Sequence, residues 1–216
     1  MNTRKLRKAI LTLCSALLLV SLSVGLTVAY LTDETELVKN TFTVGKVAIT
    51  LDETDVDEYG VKDGDTRVIT NDYKLMPGHT YTKDPTVHVA ADSEESYVRM
   101  LVTINLVDKL TEAFGVDEFL PEEYVNGWDR SKWESYAITT VDNVCTVEFR
   151  YYTTVSTVDA AAKDLEPLFT EIKVPEGAEN EKLLALEDLQ IDIKAQAIQA
   201  DGFANADAAW TAFANK

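Results

Sequence analysis

Apolar and polar residues alternate along much of this chain, which is the period of a β-strand with one buried face. In residues 96–106, for example, Val98 and Met100 fall on one face and Arg99 on the other. The alternation predicts strands over residues 41–51, 67–75, 86–90, 96–106, 133–140, 144–154 and 188–200. A change of phase at Gly45 predicts a β-bulge in the first of these strands.

Turn signals separate the predicted strands. Asp142-Asn143 predicts a tight hairpin between the strands at 133–140 and 144–154. Met76-Pro77-Gly78 predicts a second turn. Residues 165–175 are apolar but interrupted by a proline, and we expect a connection followed by a short strand.

Two short stretches have helical spacing instead. Residues 107–114 place apolar side chains four apart, and Gly115 is suited to end the helix. Asn205 is suited to cap a last helix that carries Trp210 and Phe213 on one side. We expect that apolar side to pack on the sheet.

This succession of short strands with few helices is typical of a two-layer antiparallel fold. We therefore predict an all-β protein, an antiparallel jelly-roll-like β-sandwich with a few short peripheral helices. Residues 41–216 contain no repeat and no long low-complexity linker, so we predict a single domain there.

Residues 1–29 show the order of regions of a secretory signal. Four basic residues precede an uncharged apolar stretch, and Thr27-Val28-Ala29 offers the small residues that a signal peptidase reads. We predict cleavage between Ala29 and Tyr30 and a secreted or cell-surface location. An uncleaved anchor is the alternative, because the stretch up to Ala29 approaches the roughly 20 residues that span a bilayer.

Charge narrows the classes of partner. Without residues 1–29 the chain keeps 16 Lys and Arg against 37 Asp and Glu, a net charge of −21. Such a surface repels nucleic acid and anionic lipid, so we predict no nucleic-acid partner. Cys145 is then the one remaining cysteine, which leaves no internal disulfide, and its place in a predicted strand indicates a buried thiol.

Catalytic motifs are scarce. The chain has two histidines, His79 and His88, and lacks the His-Glu-x-x-His, Gly-x-Ser-x-Gly and phosphate-binding glycine motifs. The two histidines are weak candidates for a zinc site with Asp84, if neighbouring strands bring them together; solvated histidines are the alternative. We predict no catalytic residue.

Asp55 and Asp57 begin an acidic segment that matches the first half of a calcium-binding loop. The glutamate that such a loop needs at its twelfth position is missing. The two aspartates are thus weak calcium candidates, with a solvated acidic turn as the alternative. We predict no cofactor, with calcium or zinc as a weak possibility.

Short motifs are spread in order along nearly the whole chain. They are Ala29-Tyr30-Leu31-Thr32-Asp33, Asn40-Thr41-Phe42-Thr43-Val44-Gly45-Lys46-Val47, Met76-Pro77-Gly78-His79-Thr80, Lys83-Asp84-Pro85-Thr86-Val87, Tyr97-Val98-Arg99, Leu168-Phe169-Thr170, and Ala197-Ile198-Gln199-Ala200-Asp201-Gly202-Phe203 with Ala209-Trp210. Together they resemble the camelysin/TasA family of secreted bacterial matrix proteins. The resemblance implies a jelly-roll fold and processing by a dedicated signal peptidase of the endoplasmic-reticulum type found in some Gram-positive bacteria.

The resemblance also implies a function, a fibre-forming subunit of an extracellular biofilm matrix. In such fibres the freed N-terminal segment of one subunit adds as a strand to the next. Here that donor would be residues 30–40, with Tyr30, Leu31, Leu37 and Val38 as its apolar residues. A flexible solvated tail is the alternative for this segment.

Two other functions stay open at this point. Some members of the family have been classed as metallopeptidases. The resemblance therefore also implies a secreted metallopeptidase as an alternative function. A monomeric surface domain held by an uncleaved anchor is the third hypothesis. The expected partners are other copies of this chain, other matrix proteins, and the signal peptidase during export.

Overall fold

The computed structural model describes residues 46–215, and antiparallel strands dominate it. The strands are β1 (Ile49–Val56), β2 (Lys62–Val68), β3 (Thr80–Thr82), β4 (Thr86–Val89), β5 (Ser96–Ile104), β6 (Val125–Asn126), β7 (Trp133–Val141), β8 (Val144–Tyr151), β9 (Lys163–Asp164), β10 (Glu171–Lys173) and β11 (Ile191–Gln199). The helices are α1 (Val107–Phe114), α2 (Asn180–Leu183) and α3 (Ala206–Ala214), with short 3-10 helices at Pro121–Tyr124 and Leu184–Leu186. The predicted all-β antiparallel sandwich with a few short helices is confirmed.

The strands form three sheets. Sheet I has the order β11-β5-β8-β7, sheet II has the order β2-β1-β4-β9, and sheet III has the order β3-β10-β6. The longest ladder joins β11 to β5, from Ile191 opposite Ile104 to Gln199 opposite Ser96. β11 and β7 thus lie at the two ends of sheet I.

The core is built from the inward faces of these strands. In β5, Val98, Met100, Val102 and Ile104 are each at most 5% exposed, as the alternation predicted. Val87 and Val89 of β4, the strand predicted over residues 86–90, are both fully buried. Burial of these apolar side chains is the main stabilising contribution to the fold.

The predicted turn and caps are confirmed. Asp142 and Asn143 both have positive φ, 50° and 66°, which is the backbone of a type I′ hairpin turn. α1 ends at Gly115 with φ 67°, a left-handed value that costs glycine little. The Asn205 side chain accepts a hydrogen bond of 3.0 Å from the backbone N–H of Ala208 and caps α3.

The last helix packs on the outer face of sheet I, as expected from its apolar side. Trp210 is 3% exposed and forms a small cluster with Ala209 and Ile198 of β11. The guanidinium of Arg99 lies 4.2 Å from the centre of the Trp210 ring, a cation–π contact. This end of sheet I is therefore covered on both faces.

One strand prediction is wrong in position: the strand expected over 67–75 is instead β2, which ends at Val68. Three residues after Val68, the Asn71 side chain accepts a hydrogen bond from the N–H of Val56 and donates one to the carbonyl of Thr54, so a side chain and not strand pairing joins this segment to β1. Of the strand predicted over 41–51, residues 41–45 lie outside the described part of the chain, and within it β1 begins at Ile49 and continues to Val56.

Several predictions fall outside the described residues. These are the signal peptide, the cleavage residues Thr27, Ala29 and Tyr30, the donor residues Leu31, Leu37 and Val38, and the bulge at Gly45. Within residues 46–215, no helix is long and apolar enough to cross a membrane.

Candidate functional site

A buried ion pair joins β1 to the segment between β3 and β4. Lys83 Nζ lies 2.6 Å from Glu53 Oε2, and the two side chains are 7% and 8% exposed. Asn71 donates to the other carboxylate oxygen of Glu53 at 2.9 Å. Lys83 also lies 5.5 Å from the centre of the Tyr73 ring. Both charged groups thus have partners whose interactions offset the free-energy cost of removing these groups from water.

The neighbouring Asp84 holds the same segment from the outer side. Its carboxylate accepts hydrogen bonds from the N–H and the hydroxyl of Thr54, at 2.6 and 2.8 Å. Arg67 of β2 donates to Asp84 at 3.1 Å and to Asp52 at 2.5 Å. Lys83 and Asp84, which belong to one of the family-like motifs, therefore fasten this connection onto β1 and β2.

His88 bridges two carboxylates on sheet II. Its Nε2 lies 2.7 Å from Asp52 of β1, and its Nδ1 lies 2.6 Å from Asp164 of β9. Burial lowers the pKa of His88, but the hydrogen bonds and charges of Asp164 and Asp52 outweigh burial, so the pKa is raised above its ordinary value of 6.5. Only the imidazolium can donate to both carboxylates at once. Arg67 completes the charged groups that contact Asp52.

We expect the contribution of His88 to stability to depend on pH. A group whose pKa is raised by folding stabilises the fold fully below its unfolded pKa, and this stabilisation is lost as the pH rises through the folded pKa. The His88→Gln variant should therefore lose most stability near pH 6 and progressively less toward pH 9. The loss should reach at most about 1 kcal/mol, because solvent screens the partly exposed pair. Urea unfolding of both proteins across this range measures it, and a difference that does not change with pH would contradict the expectation.

His79 has a different environment. Its Nε2 lies 2.8 Å from the carbonyl oxygen of Tyr59, and its ring packs 4.5 Å from the ring of Tyr81. His79 and His88 thus have separate partners, and Asp84 is bound to Thr54 and Arg67. Across residues 46–215 no group of three or more His, Cys, Asp or Glu is placed to hold a metal ion.

The acidic segment forms the turn between β1 and β2. Asp57 Oδ1 accepts hydrogen bonds of 2.9 Å from the N–H groups of Tyr59 and Val61, so this carboxylate shapes its own turn. Gly60 follows with φ 74°, and a Cβ there would lie 2.6 Å from the Cα of Tyr81. Asp55 lies within β1. Of the two calcium candidates, Asp57 therefore shapes the hairpin turn and Asp55 belongs to the strand that leads into it.

Cys145 lies in the core of sheet I. It is fully buried, and burial raises the pKa of its thiol, partly offset by a hydrogen bond with Thr140. The predicted buried thiol is confirmed. A thiol of this kind is a poor nucleophile, because the reactive thiolate is disfavoured.

A groove runs beside β11 at one end of sheet I. Its volume is about 410 Å³, and β1 lies on its other side. Apolar side chains line part of it (Leu51, Val68, Ile69, Pro85, Ile191, Ile193 and Ala195), and charged side chains line the rest together with Thr70 and Asn71 (Asp52, Glu53, Lys83, Asp192 and Lys194). Ile69 is 88% exposed. In the part of the chain that the structure describes, β11 pairs with β5 on one side only. About every second residue of this nine-residue strand therefore directs its backbone N–H and C=O groups to an edge that is open to a further strand.

Sequence reasoning missed the buried pair and the two carboxylates on His88. Lys83 and Glu53 are 30 positions apart, and His88 and Asp164 are 76 apart. The one local signal is the position of Lys83 between Tyr81 and Pro85, both buried, which predicts that the lysine needs a partner but does not identify it.

Comparisons with protein-family models, with curated proteins and with solved structures find no match for this chain. A function is therefore inferred from the geometry of residues 46–215 and from the motifs of the sequence.

Proposed function

We propose that this chain, once residues 1–29 are removed, is a secreted, non-enzymatic structural protein that forms fibres of an extracellular matrix. Subunits assemble by N-terminal strand donation, with residues 30–40 as the donor. The open edge of β11, with the groove beside it, is the acceptor. This nine-residue edge is the observation that carries the proposal.

The physical basis is strand addition to a sheet. An incoming strand satisfies the backbone groups along β11, and its alternate side chains enter the groove. The apolar side chains of the donor are Leu37 and Val38 at one end and Tyr30 and Leu31 at the other. Because neighbouring side chains of a strand point to opposite faces, one residue of each pair can enter the groove. Main-chain hydrogen bonds supply affinity, and the apolar pockets select the register.

The geometry of the contact decides the form of the assembly. Donor and acceptor are different surfaces of one subunit, so the contact is head-to-tail and propagates as a filament unless the rotation closes a ring. Cleavage after Ala29 by a signal peptidase frees the donor from the membrane. Other matrix proteins with an open edge or a free donor strand are the further partners of such a filament.

The test compares two purified chains, residues 30–216 and residues 41–216, by negative-stain electron microscopy. We expect filaments from the first and none from the second. Acid or divalent cations should promote filaments, because the net charge of −21 makes subunits repel at neutral pH and low salt.

A matched pair of variants in the 30–216 chain refines this test. Leu37→Lys with Val38→Lys removes apolar side chains from the donor, whereas Thr32→Lys with Thr35→Lys adds the same charge at polar positions. Only the first pair should block filaments. Filaments from residues 41–216 would overturn strand donation, and monomers from every chain in all conditions would favour an anchored monomeric surface domain.

A further inference from the structure

β7, the strand at the other end of sheet I, is unusually open to solvent. Residues 136–141 are all exposed, although side chains of a strand in a sandwich normally alternate between core and solvent. Ile138 is 43% exposed on the face that β8 turns toward the core, and Val141 is 60% exposed on the opposite face. The second half of β7 therefore extends past the layer that would cover it.

This half of β7 also lacks the usual protection of a sheet edge. Natural edges carry charges, prolines or bulges that prevent strand pairing. The irregularity in β7 lies between Ser135 and Ala137, and from Ala137 to Val141 the ladder with β8 is regular. No charged residue occurs in 135–141, although the chain has 37 Asp and Glu. Alanine apart, residues 137–141 are β-branched and suit a strand.

The other end strands of sheets I and II differ in this respect, whereas β3 and β6 at the ends of sheet III are also uncharged but are only three and two residues long. β2 includes Lys62, Asp63, Asp65 and Arg67, and β11 includes Asp192 and Lys194. β9 consists of one lysine and one aspartate. Two copies of so acidic a chain repel each other least where their edges carry no carboxylate, and β7 provides such an edge.

We propose that two copies of this chain pair through residues 137–141 of β7, as antiparallel strands about a two-fold axis. A two-fold axis perpendicular to the sheet places the core-facing sides of both copies on the same side of the joined sheet. Each residue must therefore pair with a residue of the other copy whose side chain points to that same side. Centring the axis on Thr139 meets this condition: Ala137 lies opposite Val141, and Ile138 lies opposite Thr140. Every pair is uncharged, and Thr139 of one copy lies opposite Thr139 of the other.

This contact goes beyond strand donation and differs from it in kind. Both copies use the same surface, so the contact closes as a dimer and does not propagate. Sheet I of one copy continues into sheet I of the other, and each covers the exposed edge of its partner. The donor segment and the β11 groove take no part, so the dimer forms whether or not filaments do.

Sedimentation velocity tests the dimer in the 30–216 chain carrying Leu37→Lys and Val38→Lys, which removes the donor contact. We expect a concentration-dependent dimer. Adding Thr139→Lys brings two ammonium groups together at the axis and should weaken dimerisation by at least about tenfold. Thr66→Lys, on the exposed edge strand β2, adds the same charge and should leave the dimer unchanged. Thermal melts confirm that each variant is folded.

A second measurement locates the axis. On mild oxidation, T139C should give a covalent dimer at least about tenfold faster than T66C, since only position 139 lies opposite the same position of the other copy. A protein that stays monomeric at millimolar concentration, or a dimer indifferent to Thr139→Lys, would overturn the proposal while strand donation stood. Loss of filaments with Thr139→Lys in the otherwise wild-type chain would also overturn it, because β7 would then be the acceptor of the donor.

Discussion

Replacing Lys83 with Met should lower the free energy of unfolding by about 3–5 kcal/mol. The change leaves the carboxyl group of Glu53 8% exposed and without its partner at 2.6 Å. Asn71 alone then stabilises the carboxylate, through one hydrogen bond. Urea unfolding at pH 7 measures the loss from the shift of the midpoint, provided the slope of the transition is unchanged.

Two further variants distinguish the loss of stability caused by breaking the ion pair from the loss caused by removing a lysine side chain. Lys62→Met breaks an ion pair with Asp65, whose side chain is 98% exposed, and should cause no measurable loss. Lys83→Met combined with Glu53→Leu removes both charges and should recover most of the lost stability, because no unpaired charge stays buried. A loss from Lys83→Met no larger than that from Lys62→Met would show that the pair is solvated.

Truncation of Trp133 to Ala should cost a similar amount, about 3–5 kcal/mol. Trp133 is fully buried where β7 begins, and its ring lies 5.0 Å from that of Tyr151. Its indole N–H donates to the carbonyl of Glu166 at 2.9 Å, which ties the segment after β9 to sheet I. Removing the ring leaves a cavity and an unsatisfied carbonyl together.

Conservative and exposed substitutions give the comparison. Trp133→Phe keeps an aromatic ring but removes the N–H, and we expect a loss of about 1–3 kcal/mol. Tyr152→Ala truncates an aromatic residue that is 56% exposed and should change stability little. Thermal unfolding monitored by circular dichroism ranks the three, and equal losses from Trp133→Ala and Tyr152→Ala would contradict the packing described for Trp133.

The described elements show which features of the fold could be predicted from the local sequence pattern alone. Val98 and Met100 were assigned to the core face of a strand from alternation alone, and both are buried. Gly115 and Asn205 were assigned as helix caps from residue type and position, and both act so. In each case the interactions involve residues within a few positions along the chain, which is the range that a sequence pattern reports.

Prediction failed where a distant group intervened. The expected strand over 67–75 ends at Val68, and the side chain of Asn71 then binds the backbone of β1. A period-two pattern carries no information on such a contact with a distant segment. His79 and His88 were considered as one site because neighbouring strands could have brought them together. In the fold, His88 contacts Asp164 on β9, whereas His79 contacts the carbonyl oxygen of Tyr59.

The sequence by itself determined the class of the fold, the faces of the main strands, the hairpin at Asp142-Asn143 and the burial of Cys145. These depend on side-chain periodicity and backbone preference, which act between neighbours in the chain. Only the tertiary structure decided that Lys83 pairs with Glu53 and that, among residues 46–215, β11 and β7 lie at the open edges of sheet I. Both follow from the order of strands in the sheets, and alternation specifies which face of a strand is buried without specifying which strand lies beside it.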